Sequence, residues 1–258
     1  MVDTLTSYRL ITRDIERSLK QVSEQPLVER ESAYYLEHIG DVKTVEDFVS
    51  DSRLYRFAMK AFGLEDMAYA KAFMTKMLNE GVDDPESFAN SLADNRYKDF
   101  VDTFNFARYG ETTTIFEKTR QAVVDKYVRQ TLEETAGNQN EGVRLALYFE
   151  RKAADIDSYY DILADPALAE VVRTALGYPA EIAQANIDKQ VEMFKARFDL
   201  EDFLDPEKVQ QFLTQFSAMW ELANPSASLQ SSISALIAQP VEYGISTDLL
   251  LTLNQLKR

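Results

Sequence analysis

The stretch KTVEDFVSDSRLYRFAMKAFG, Lys43 to Gly63, decides the fold, because helix grammar is complete within it. Thr44 followed by Asp47 has the form of a capping box, in which a hydroxyl and a carboxylate satisfy the free amides of a helix's first turn. Asp51 is placed to cap the next helix, Phe57, Ala58, Ala61 and Phe62 keep helical spacing, and Gly63 suits the left-handed residue that ends it. The same periodicity extends outward, through Tyr8, Ile11, Ile15, Leu19 and Val22 on one side and Ala70, Phe73, Met74, Met77 and Leu78 on the other. Strand-like alternation is scarce. The 8 glycines and 7 prolines fall mainly where periodic runs stop. The expected fold class is all-α.

Most of this skeleton returns at Asp157 to Gly177 as DSYYDILADPALAEVVRTALG. A shift of 114 positions, from Gly63 to Gly177, aligns Tyr34–Gly63 with Tyr148–Gly177 without a gap. Tyr34, Asp41, Asp47, Asp51, Leu54, Ala61 and Gly63 meet identical residues, while Tyr35, Val42, Phe48, Val49, Phe57 and Phe62 meet Phe149, Ile156, Ile162, Leu163, Val171 and Leu176. What persists is helix punctuation and an apolar face, which is architecture used twice. Each unit reads as a long helix, a short helix and a third helix stopped by glycine. Weaker echoes follow each copy, from Leu92 to Phe100 and from Leu204 to Phe212. A solenoid would keep repeating at fixed period, whereas Gly110 to Asn140 interrupts with a different helix, QAVVDKYVRQTLEE. The expectation is one all-α domain over 1–258, a two-fold internally duplicated helical array. Its parts are a first unit at about 27–109, a connecting helix at 110–140, a second unit at 141–222, and amphipathic terminal helices at 2–25 and 226–258.

Composition bounds the function. The 43 acidic and 28 basic residues give a formal net charge of -15, which repels nucleic-acid backbones and anionic lipid on average. Zero cysteines exclude disulfides, thiolate metal sites and thiol nucleophiles. No run approaches the roughly 18 apolar residues of a membrane span, and the start, MVDTLTSYRLITRDIERSLK, lacks the apolar core of a cleaved signal peptide. No nucleic acid, no membrane insertion and no cleaved signal peptide are expected.

The run DVKTVEDFVSDSRLYRFAMKAFGLEDMAYAKAFMTKMLNEGVDDPESFANSLADNRYKDF, with NEGVRLALYFERKA and DPEKVQQFLTQF, resembles an uncharacterised family of helical alphaproteobacterial proteins encoded among flagellar genes. The likeness runs from about Tyr8 to Leu222. It implies a flagellar context, with a cytoplasmic or flagellum-associated location expected, and brings no catalytic residues with it. Flagellar axial proteins are similar in placing helices from both termini in a shared shaft, and here Ser226–Ala238 and Ser246–Arg258 read as apolar helical tails. The sequence departs from axial proteins in lacking an Asn-rich signature near its start. The expected role is a non-enzymatic flagellum-associated structural or assembly protein whose partners are other flagellar proteins reached through the terminal helices. The alternatives are a cytosolic adaptor or export chaperone and, behind it, a carboxylate-based enzyme.

The sequence names no catalytic, cofactor-binding or metal-ligating residue. His38 is the only histidine, and Lys152 replaces it in the second unit, so a solvated helix face explains it best. GNQNEGVR, Gly137–Arg144, has two glycines but lacks the Lys and Ser or Thr of a phosphate loop and reads as an interhelical turn. Asp155, Asp157, Asp161 and Asp165 lack the glycine and final glutamate of a calcium loop; two of them read as caps and the others as solvated. Val82–Glu86 reads as a helix start with acid near the positive end of the dipole. The aromatic residues, 15 Phe and 13 Tyr, follow core positions, and Trp220 is expected to pack.

Overall fold

Two hydrophobic cores, one per unit, organise the computed structural model, which describes residues 3–224. In chain order the helices are α1 (Thr4–Thr12), α2 (Ile15–Ser23), α3 (Pro26–His38), α4 (Val45–Ser50), α5 (Ser52–Ala61), α6 (Lys71–Glu80), α7 (Phe88–Ser91) and α8 (Asn95–Thr103). They continue as α9 (Phe106–Tyr109), α10 (Gln121–Gly137), α11 (Glu141–Lys152), α12 (Tyr159–Ala164), α13 (Pro166–Ala175), α14 (Ile187–Lys195) and α15 (Pro206–Ala223), with short 3-10 turns between several of them. The described residues contain no strand, and the chain is all-α.

The punctuation read from sequence is present atom by atom. Thr44 accepts the Asp47 amide while the Asp47 carboxylate accepts the Thr44 amide, and Ser158 and Asp161 do the same in the second unit. Asp51 accepts the amides of Arg53 and Leu54; Asp165 accepts those of Ala167 and Leu168. At the far ends of α5 and α13, Gly63 and Gly177 both adopt φ +69. The Leu64 amide donates to the Met59 carbonyl and the Gly63 amide to Lys60, matched by Tyr178 to Arg173 and Gly177 to Thr174. These are paired Schellman closures, available at low cost because glycine has no Cβ. One shared contact was not read in advance. The Tyr34 hydroxyl donates to Asp51, and the Tyr148 hydroxyl donates to Asp165. The identical Tyr and Asp of the two units are bonded partners that pin the long helix to the cap of the third.

The first core gathers α2 to α6 and α8 around Tyr35, Phe48, Leu54, Phe100 and Phe104, all fully buried. Its aromatic rings stack, Tyr35 on Phe57 at 4.6 Å between centroids and Phe57 on Tyr127 at 3.9 Å. The connecting segment is part of this core, because α10 supplies Val123, Val124, Tyr127, Val128 and Leu132 to it. The second core gathers α11, α13, α14 and α15 around Phe149, Phe194, Leu213 and Phe216.

Two local readings change. The segment 2–25, expected as one helix, forms α1 and α2, because Asp14 leaves helical geometry (φ -144, ψ 72) to accept the Arg17 amide and start α2. The break lets Tyr8 enter the second core and Val22 the first. Both helices therefore lie on the body of the protein; 226–258 lies outside the described residues. Val82–Glu86, expected to begin a helix, is a loop: Asn90 donates to the carbonyls of Val82 and Asp84, and the helix starts at Phe88, whose amide Glu80 accepts. GNQNEGVR is the interhelical turn it was read as, with Asn140 capping α11. Trp220 packs on Gly142, where an added Cβ would stand 2.5 Å from the indole.

Two outcomes follow from this packing. Gly142→Ala forces the indole outward and should cost about 1–3 kcal/mol, measured by urea unfolding, with a shift in the emission of Trp220, the sole tryptophan. Asp51→Ala removes a cap and should cost about 0.5–2 kcal/mol at neutral pH. For Asp51, desolvation is the largest influence and raises the pKa, but the Leu54 amide, the Tyr34 hydroxyl and the Arg53 amide outweigh it, so the net shift is downward. A carboxylate lowered in the folded state stabilises fully above its unfolded pKa and loses that contribution as pH falls through the folded value. The gap between wild type and Asp51→Ala should therefore narrow in acid; a gap that is constant with pH contradicts the assignment.

Candidate functional site: the cleft between the two units

The two cores meet along α10 and α11, whose facing sides are sealed by a buried charge network. Glu133 on α10 is 1% exposed. Its carboxylate receives the Arg129 guanidinium at 3.0 Å and both nitrogens of an Arg151 fork at 2.8 Å. Arg129 also donates to the Leu147 carbonyl and lies 3.8 Å from Glu150. Gln210 of α15 donates to Glu150 and to the Tyr8 hydroxyl, carrying the network onto α1. Arg151 illustrates the balance: desolvation, the largest influence, lowers its pKa, yet the Glu133 hydrogen bond and charge raise it further, so the net shift is upward.

On one face of this junction a cleft of about 830 Å³ opens between the units. One wall is α8 with its cap, carrying Asp94, Arg96, Lys98, Asp99 and Asp102; Lys126 of α10 and Phe62 lie between. The other wall runs from Lys152 at the end of α11 through Asp155, Asp157 and Asp161 to Asp165. Two bonds cross from wall to wall, Lys152 Nζ to Asp99 Oδ2 at 3.2 Å and Asn95 Nδ2 to Asp161 Oδ1 at 3.4 Å. Arg96 is anchored within its own wall by Asp94 and donates to the Gly63 carbonyl at 2.7 Å. Desolvation, its largest influence, lowers the Arg96 pKa, but the Asp94 hydrogen bond and charge prevail and raise it. Lys126 is shifted the other way, lowered first by desolvation and then by the neighbouring charge of Lys152.

The four carboxylates weighed from sequence thus share one site. Asp161 and Asp165 are caps, as read, while Asp155 and Asp157, read as solvated, are exposed but stand on the cleft wall. Among the described residues no group of three or more His, Asp or Glu is arranged to hold a metal ion. His38 lies elsewhere, its ring stacked on Tyr34 at 3.9 Å and its Nδ1 2.8 Å from the Tyr34 carbonyl. Its counterpart Lys152 is the one that reaches the cleft. Sequence reading missed Glu133 and the α8 wall. For Glu133 the one signal was an acid set among the apolar positions of α10 with Arg129 four residues before it; for α8 it was the echo of the capping pattern at Asp94.

Residues 61–209 match the family described as Protein of unknown function (DUF1217), a span that includes every residue lining the cleft. The chain belongs to that family. It is also similar to a solved structure, the X-ray crystal structure of Protein AGR_C_984 from Agrobacterium tumefaciens, at 50% identity with a TM-score of 0.81. That likeness covers 87% of this chain and 98% of the other. No curated protein matches the sequence. The family is therefore an uncharacterised helical one with a member in an alphaproteobacterium, as the sequence resemblance led one to expect.

The junction predicts its own fragility. Glu133→Ala removes the buried carboxylate shared by the part-buried Arg129 and Arg151 and should cost about 3–5 kcal/mol, read as a fall in the urea midpoint. A change below about 1 kcal/mol, the range of exposed ion pairs, would show that the network is not what holds the units together.

Proposed function

We propose that the protein is a non-enzymatic, flagellum-associated structural or assembly component that acts through helix-mediated contacts with other flagellar proteins, and that its two units arose by duplication. The flagellar context rests on the family resemblance. The observation that carries the mode of action is the docking of α1 and α2 on the body, which turns the partner-binding role proposed for the two end segments to 226–258. Its sequence holds Leu249, Leu250, Leu251, Leu253 and Leu256, the apolar residue type that a helix-in-groove contact uses. The body is then a rigid base made stiff by the buried junction. The carboxylates of the cleft support a non-enzymatic reading, since Asp161 and Asp165 hold helix amides and Asp99 holds Lys152.

A second reading, a cytosolic adaptor or export chaperone for flagellar proteins, is favoured by the open charged cleft, a surface suited to reversible binding. Two experiments separate the readings. Deleting the gene should impair motility or filament assembly, and the tagged protein should appear with purified flagella; normal motility with normal filaments sinks the leading proposal. Truncation after Asn224 should keep the melting temperature of the full chain while abolishing capture of the flagellar partner. A protein confined to the cytosol that co-purifies with an export substrate establishes the adaptor instead.

A further inference from the structure

A second concavity, about 430 Å³, lies on the outer side of the first unit, lined by residues of α3, α5 and α10. Two rings of a stack of three stand in its lining: Phe57, which rests on Tyr35, and Tyr127, which rests on Phe57. Both are nearly buried, at 4% and 6% exposed. The inner ring of the stack is satisfied, because the Tyr35 hydroxyl donates to the Thr119 carbonyl at 2.6 Å. The Tyr127 hydroxyl makes no hydrogen bond among the described residues. Burial, the largest influence, raises its pKa and outweighs the charge of Lys60, so the hydroxyl keeps its proton and is a donor. A polar group this deep and left unpaired costs free energy that a ligand atom can recover.

One wall of the groove is the outer face of α5. Arg53 is committed to Glu31 and lies over the Tyr34 ring at 3.8 Å, and Lys60 is committed to Glu134 at 2.6 Å. Between them Arg56 is exposed and forms no ion pair among the described residues. Its guanidinium is a planar set of donors that suits a carboxylate in two-point contact and also stacks on a ring. Glu65, past the end of α5, lines the groove as well and is likewise unpaired among the described residues, so a second negative group on a ligand meets repulsion there. An apolar floor, a few uncommitted polar groups and a volume of this size are the composition of a small-molecule site. The second unit does not repeat it, since Arg56, Phe57 and Lys60 correspond to Glu170, Val171 and Thr174.

We propose that this groove binds a small aromatic monocarboxylate, its ring laid against Phe57 and Tyr127 and its carboxylate held by the Arg56 guanidinium and the Tyr127 hydroxyl. The committed pairs, Arg53 with Glu31 and Lys60 with Glu134, are fixed walls and need not break. The site is independent of the flagellar role, and a normal motility phenotype in the deletion strain leaves it standing.

The test is titration of the full-length protein, followed by amide NMR, with three probes: benzoate, acetate and benzyl alcohol. Benzoate should bind saturably and shift amides of α5 and α10, with acetate, which lacks the ring, and benzyl alcohol, which lacks the charge, both weaker. Arg56→Ala should weaken benzoate about tenfold or more, the scale of one lost charge-assisted contact, at an unchanged melting temperature because Arg56 is exposed. Tyr127→Phe keeps the ring stack and removes only the hydroxyl; it should weaken benzoate about threefold to tenfold without lowering the melting temperature. Absence of saturable benzoate binding, acetate or benzyl alcohol binding as tightly as benzoate, or wild-type affinity for benzoate in either variant each overturns the proposal.

Discussion

The buried carboxylate of Glu133 is the constraint on which the arrangement of this protein depends. A carboxylate 1% exposed is tolerable only when its charge and lone pairs are met. Here they are met by Arg129 on the same helix and by Arg151 on the next one. Arg151 can reach Glu133 only if α11 lies against α10 in one rotational setting. Arg129 then has the Leu147 carbonyl within reach, Glu150 is turned toward Gln210, and Gln210 meets the Tyr8 hydroxyl. Partial formation of such a network leaves unpaired charge in a dry site, so its members form together. The relative placement of the two cores is consequently specified by polar geometry, while apolar burial within each core supplies most of the stability.

The cleft is a consequence of this arrangement. Because α10 and α11 are drawn together behind it, α8 and the cap of α12 are left facing one another across solvent, with hydrogen bonds from Lys152 to Asp99 and from Asn95 to Asp161 crossing the gap. Arg151 and Lys152 are consecutive residues on α11, yet one is bound within the junction and the next points into the cleft. The charge of the cleft is therefore set partly by the interaction that holds the units together.

The fold was legible in the sequence wherever the cause of structure is local. Capping boxes, Asp caps and stopping glycines act within four or five residues, and every one of them is found where Thr44, Asp51, Gly63 and their counterparts placed it. The 114-residue shift also matched Tyr34 to Tyr148 and Asp51 to Asp165, but not the bonds that join Tyr34 to Asp51 and Tyr148 to Asp165. That contact spans 17 residues and depends on how the long helix lies over the third. The break at Asp14 was not legible because apolar periodicity runs unbroken across it; what decides it is that the two sides serve different cores. Nor was the cleft, whose walls lie far apart along the chain and whose acids, taken singly, look like solvated helix residues.

Two units of like skeleton present unlike outer faces, and the reason lies in what each third helix packs against. On α5, Arg53, Arg56 and Lys60 form a basic stripe; Arg53 pairs with Glu31 of α3 and Lys60 with Glu134 of α10. The equivalent positions on α13 are Ala167, Glu170 and Thr174, and α13 packs instead on α11 and α15. The first unit is thus sealed laterally by α10, with its long helix carrying His38 stacked on Tyr34. The second ends its long helix in Lys152, which reaches across to Asp99 of the other unit, while Arg151 lies over the Tyr148 ring. Local punctuation makes the units alike, and substitution at exposed positions of that common frame makes one of them a wall.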